Sequence, residues 1–256
     1  MRIGSRIIVG ATLLIAVVSL ALLQPVSGQP GQWQSLNPVV ADLNDVWMVS
    51  SSQGWAVGDS PGGLTPGVAV YWDGTRWRQI LTPSLGVGYD LLGAACLSAT
   101  RCLAVGASVL GPVLLQWDGT AWVDRSALVP ISTTALLEIY IRADGLAFAV
   151  GAAAPGGFNI IRIPNANNVP ITVAGEASVG AGPDVLNSVW LISPDPGGSI
   201  RGFAVGNTGV AWRWDGAGWI SEATPTVANL LSLFMVSTTD AFAVGAGDTI
   251  IRWNGV

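Results

Sequence analysis

Five times along the chain a short apolar run is followed, about a dozen residues later, by the triplet Ala-Val-Gly. The runs are LNDVWMVS from Leu43, LLGAACLS from Leu91, LLEIYIRA from Leu136, LNSVWLIS from Leu186 and LLSLFMVS from Leu230; the triplets end at Gly58, Gly106, Gly151, Gly206 and Gly245. Near-continuous apolar runs of this length predict strands covered on both faces, unlike the alternation of a half-wet sheet. Each triplet leads through a Gly-rich turn into a third apolar strand. In three repeats that strand ends in Trp-Asp-Gly-x-x-Trp, at Trp72 and Trp77, Trp117 and Trp122, and Trp214 and Trp219. The Asp-Gly turn sets the two indoles across from each other, a pairing worth on the order of 0.5–1 kcal/mol. These tryptophans therefore read as blade glue and not as exposed sugar platforms.

A repeat of roughly 40 to 55 residues with four short strands and no helix-length amphipathic run fits one blade of a β-propeller. The expected fold is all-β, with five four-stranded antiparallel blades whose cores span about 42–83, 91–126, 136–176, 186–225 and 230–256. In the Ala-Val-Gly strand the alanine and glycine share one face, where small size is expected to let the neighbouring blade come close. The third repeat departs from the rule: Ile163 stands in the tryptophan position, and the stretch IIRIPNANNVPITV has neither Trp pair nor Asp-Gly turn. The last repeat stops at Trp253-Asn254-Gly255-Val256, before its second tryptophan. The segment QWQSLNP, residues 32–38, supplies one: set after Val256 it brings Trp33 opposite Trp253, and we expect it to be the outer strand of the fifth blade, closing the ring. The competing reading places further blades after Val256.

Composition narrows the chemistry. The chain has 256 residues, half of them hydrophobic and 11% charged, with no histidine and, by inspection, no lysine. A Ser-His-Asp triad, a His-ligated zinc, a Walker lysine and a Schiff-base lysine are all excluded. A net charge of −5 with scattered arginines argues against a nucleic-acid partner. At the N-terminus, Arg2 and Arg6 precede an apolar run from Ile7 to Leu23 and small residues up to Gly28. Residues 1–28 thus read as a signal peptide, or as an anchor if left uncleaved, the one route to a membrane. Residues 29–256 then form one secreted or surface-displayed propeller domain, expected to be monomeric. Cys96 and Cys102 lie on adjacent strands of the second repeat, and an exported chain with two cysteines is expected to pair them.

The repeat resembles secreted bacterial propeller repeats of the C-x-S-x-x-x-C-x-AVG and W-DG-x-x-W kind, most fully in CLSATRCLAVG from Cys96 and WDGTAW from Trp117. More distantly, GWAVGDS and WDGTRW resemble elements of propellers of the photosystem II assembly-factor and Asp-box type, though the Asp-box serine and first aspartate are not matched. These motifs specify blade structure and imply no activity. On the innermost strands one column is comparable across repeats: Asp45, Gly93, Glu138, Ser188 and Ser232. Asp45 and Glu138 fit an acid/base pair of the glycosidase kind, a cation site, or simple solvation of the channel mouth. Five-bladed glycosidases use three carboxylates and this row has two. The leading reading is a non-enzymatic module binding a protein or carbohydrate ligand, without metal or cofactor; the alternatives are a glycoside hydrolase or lyase and an assembly factor of the photosystem kind.

Overall fold

A computed structural model describes residues 35, 36, 38–177, 185–192 and 201–255. The expected signal segment, Trp33 and most of 32–38 lie outside the described residues. Among the described residues the chain is all-β, with two single-turn 3-10 segments. No described helix is long and apolar enough to cross a membrane.

Blade 1 comprises β1 (Leu43–Ser50), β2 (Gln53–Gly58), β3 (Val68–Trp72) and β4 (Trp77–Ile80). Blade 2 comprises β5 (Tyr89–Ser98), β6 (Arg101–Ser108), β7 (Gly111–Trp117) and β8 (Trp122–Asp124). Blade 3 comprises β9 (Thr133–Ile141), β10 (Ala147–Ala153), β11 (Ile160–Ile163) and β12 (Ala174–Ala177). Blade 4 comprises β13 (Leu186–Ile192), β14 (Arg201–Gly206), β15 (Ala211–Trp214) and β16 (Trp219–Glu222). Blade 5 has β17 (Leu230–Ser237), β18 (Asp240–Gly245) and β19 (Thr249–Trp253), three strands among the described residues. Every sheet is a meander in which each strand pairs antiparallel with its neighbour in sequence.

The glycine of each triplet has a different role from the one its sequence suggests. In all five blades it pairs with the leucine that begins the apolar run, and the register slips by one residue just beyond that pair. This β-bulge presses the inner strand onto the glycine: a Cβ on Gly106 would sit 1.8 Å from the Asp90 carbonyl oxygen, and one on Gly206 2.0 Å from that of Val185. Glycine is thus required by its own blade, because a bulge brings backbone against backbone. The alanine does face the adjoining blade: Ala104 is fully buried in the core between blades 1 and 2, and Ala204 in that between blades 3 and 4.

Between blades the contact is a bulky side chain set against a tryptophan pair. Trp55, preceding the first triplet, packs on both Trp117 (4.8 Å between ring centroids) and Trp122 (4.9 Å) of the next blade. Phe148 does the same on Trp214 (5.0 Å) and Trp219 (5.2 Å). Where blade 3 lacks the pair, Leu103 instead meets an aliphatic cluster with Ile163, Ala166 and Ile171. The longer connection before β12 is held by blade 2, with Gln116 Nε2 donating to the Asn168 carbonyl (2.6 Å) and Arg101 Nε to that of Asn167 (3.3 Å). The Trp72/Trp77 hairpin forms as expected, with Asp73 Oδ1 accepting from the backbone N–H groups of Thr75 and Arg76. Those bonds, led by the Thr75 hydroxyl, hold the Asp73 carboxyl down at about 2. Cys96 and Cys102 face each other across β5 and β6 and are disulfide-bonded.

Packing runs blade to blade in chain order through β1, β5, β9, β13 and β17; among the described residues no comparable contact joins β17 back to β1. Accordingly Val46 (56% exposed) and Met48 on blade 1, and Phe234, Val236, Phe242 and Val244 on blade 5, remain open to solvent.

Candidate functional site

The bulge after the leucine of each inner strand re-aims its next side chains. On blades 1 and 4 the bulged residue is asparagine, and it links to the following blade: Asn44 Nδ2 donates to the Leu91 carbonyl (2.9 Å) and Asn187 Nδ2 to that of Leu230 (2.8 Å). Next comes the acidic column. Asp45 reaches across to blade 2, its Oδ2 accepting from the Ala94 N–H (2.8 Å) and its Oδ1 from the Val46 N–H (2.7 Å). Glu138 Oε1 accepts from the Ile139 N–H at 3.1 Å. Gly93 lies between them, and it lets β5 and β9 close up: a Cβ there would be 3.1 Å from the Glu138 Cα. The structure therefore brings Asp45 and Glu138 into electrostatic contact, while Ser188 and Ser232 contribute no charge to the column.

Burial, and then the negative charge of Asp45, push the Glu138 carboxyl up to about 8. Burial also raises Asp45, against the opposing pull of its two backbone N–H donors. At neutral pH Glu138 holds a proton. Both Asp45 oxygens are engaged by backbone, so its first effect is to fasten blade 1 to blade 2. Among the described residues no three His, Cys, Asp or Glu side chains gather closely enough to share a metal ion.

The proton has a measurable consequence. The folded chain holds it more tightly than the unfolded chain, whose glutamate titrates near 4.5. Its stabilising contribution is thus fully present below about pH 4.5 and lost as pH rises to about 8. Glu138→Gln, which stays neutral and keeps an acceptor for Ile139, is expected to be more stable than wild type at pH 8 by about 4 kcal/mol, at roughly 1.4 kcal/mol per pH unit between 4.5 and 8. The two should converge at pH 4.5 in a thermal-melt series.

A second site has no counterpart in the sequence reading. The blade 1 to blade 2 crossover near Ser84, the β6–β7 turn and the blade 2 to blade 3 crossover enclose a groove of about 1010 Å³. Val109 (89% exposed), Leu110 (76%) and Ile131 stand on its rim. Its polar lining is largely spent internally: Ser108 Oγ donates to the Gly111 carbonyl, Thr133 Oγ1 to that of Phe158, and Ser126 Oγ accepts from the Leu114 N–H. What faces a ligand is an aliphatic rim over a lining of comparable polar and apolar share, in a volume at the upper end for ligand-binding clefts.

Sequence comparison also passes over an aromatic row two residues beyond the acidic column. Trp47 meets Tyr140 edge-on at 6.0 Å, Tyr140 meets Trp190 at 5.0 Å, and Trp190 meets Phe234 at 4.7 Å. Blade 2 offers Ala95 at that position, and the gap lets Trp47 reach past it to blade 3. Alignment of the five inner strands two residues further along exposes the row.

No family model and no curated protein matches the chain. Solved structures do. YCF48 from Cyanidioschyzon merolae superposes with a TM-score of 0.55 at 15% identity, over 84% of this chain and 70% of that one. The fold is a β-propeller. The WD40 propeller domain of Doa1 gives 0.55 at 13% identity over 84% of this chain and 66% of that chain. An ancestral GH74 enzyme gives 0.58 at 13% identity over 85% of this chain, which spans 29% of the enzyme's length. At such identities the likeness establishes the propeller and carries no activity with it. The propeller tryptophans behave as its internal cement: Trp117, Trp122 and Trp214 are buried, and Trp72, Trp77, Trp219 and Trp253 are partly so.

Proposed function

We propose that this chain is a non-enzymatic propeller module, exported or displayed at the cell surface, that binds a protein partner in the groove that the β6–β7 turn forms with the two crossovers flanking blade 2. The observation that carries this reading is the aliphatic rim of Val109, Leu110 and Ile131 around a cleft of about 1010 Å³. Exposed apolar groups clustered at a concavity are costly to leave in water and are characteristic of interaction sites. A carbohydrate partner fits less well, because among the described residues no aromatic ring lines the groove to stack on a sugar face. Export is supported by the signal-like N-terminus and by the disulfide.

Peptides selected from a random library on the purified protein supply the test. Leu110→Asp and Ile131→Asp, both at exposed positions, are expected to weaken such peptides by about tenfold or more, that is 1.4 kcal/mol or more, at an unchanged melting temperature. Binders indifferent to both substitutions, or binding confined to a glycan panel, would overturn the assignment. A second reading, glycoside hydrolysis, is favoured by one observation: Glu138 keeps its proton beside Asp45, as a general acid does beside a carboxylate. Cleavage of a glycan panel by wild type and not by Glu138→Gln would replace the first reading with this one.

A further inference from the structure

The groove beside blade 2 has a single charge in its wall. Among the described residues that line it, Asp124 alone is ionised at neutral pH. Asp124 ends β8, where it pairs with Leu115 of β7, and from there the chain turns into the crossover towards blade 3. Its Oδ1 accepts from the Ser126 N–H (2.8 Å), which anchors the carboxylate at the start of that turn. Among the described residues Oδ2 has no hydrogen-bond donor and Asp124 no ion-pair partner. The adjacent cation is committed elsewhere, since Arg125 Nε donates to the buried Gln116 Oε1 (3.0 Å). The phenol that feels the charge is committed too: Tyr89 donates its hydroxyl proton to the Pro83 carbonyl (2.7 Å), and burial, with the Asp124 charge adding to it, pushes that hydroxyl up to about 12. The carboxylate therefore faces the groove uncompensated, beneath the exposed aliphatic rim of Val109, Leu110 and Ile131.

On the reading of the groove as a protein-binding site, we infer that its partner is a segment carrying a lysine or arginine among aliphatic residues, the cationic head set against Asp124 and the aliphatic groups on the rim. A wholly apolar segment would strip water from the carboxylate and leave it without a partner, which is costly. An acidic segment would bring like charges together. A long basic side chain answers both parts of the wall, because its methylene stem packs on apolar surface while its head stays with charge and water. The formal charge of −5 on the chain also favours the approach of a cationic segment over an acidic one.

The test separates the charge from the groove. Among peptides selected from a random library on the full-length protein, those weakened by Leu110→Ser sit in the groove, because that substitution strips the exposed rim without adding a charge. These groove binders are expected to share a lysine or arginine. Replacing it by glutamine in the peptide should weaken binding to wild type by about threefold to tenfold. Asp124→Asn, which removes the charge and keeps an acceptor for the Ser126 N–H, should cost the same with the unchanged peptide, at an unchanged melting temperature. The two losses should not add, and raising the salt should shrink each of them. The peptide substitution and the salt series need only wild type, so they decide even where Asp124→Asn melts lower. Groove binders without a basic residue, or whose basic residue is replaced at no loss, or losses that add in full, would overturn the inference and leave the groove a protein-binding site. A library without any binder sensitive to Leu110→Ser would overturn the protein-binding reading itself, and this inference with it.

Discussion

Trp55→Ala is expected to lower the unfolding free energy by about 3–5 kcal/mol, the range for truncating a large aromatic in a packed interior. Trp55 is 1% exposed and touches Tyr71 of its own blade as well as both indoles of the Trp117/Trp122 pair. Its removal leaves a void that rigid sheets on either side cannot close, and it strands the tryptophan pair of blade 2 against nothing. Trp55→Phe, the residue that blades 3 and 4 use at this position, should recover much of the loss. Urea titrations of the three proteins measure both differences. A loss below about 1 kcal/mol for Trp55→Ala would mean that the blades are not locked by this contact.

Gly106→Ala is expected to be comparably damaging, although it adds a single methyl group. That carbon would lie 1.8 Å from the Asp90 oxygen and 2.9 Å from the carbonyl carbon, both backbone atoms of a strand that has no room to retreat. Relief requires undoing the bulge after Leu91, which re-aims the inner strand, and with it the hydrogen bonds of β5 to β6. We expect a loss of about 3 kcal/mol or more, in the class of overpacking and backbone strain. Gly218→Ala is the matched control, because a Cβ there meets nothing within 4 Å and its φ is not positive. It should be neutral to within about 0.5 kcal/mol. Equal effects at the two sites would show that the close approach at Gly106 is relieved at little cost.

The propeller was legible in the sequence because its unit is repeated five times, so that accidents of composition cancel and shared constraints remain. Strand order, the Trp72/Trp77 type of hairpin and the Cys96–Cys102 pairing all follow from local pattern, and the structure has them. The reason for the triplet glycine was misplaced, since a bulge is a registry of two strands and a single strand's pattern does not display it. The acidic column was found by alignment, but not its state: the proton on Glu138 depends on burial and on Asp45 two blades away in sequence, brought near by the bare Gly93. The groove was invisible because the crossovers that enclose it, near Ser84 and Ile131, have no repeat and no periodicity to read.

The meander topology governs how the molecule comes to be. Every described sheet is closed by links between strands adjacent in sequence, so no pairing has to wait for a distant part of the chain to arrive. Short loops of this kind have a small closure entropy and form quickly, and an array of such units grows by addition to its neighbour. Synthesis from the N-terminus then sets a temporal order. Trp55 is in place while its receiving indoles are still in the ribosome, and each blade is born with one face unsatisfied until the next emerges. Nascent chains that have emerged as far as Gly106 should therefore expose Trp55 and Val57 and recruit chaperones, and chains that have emerged beyond Trp122 should release them.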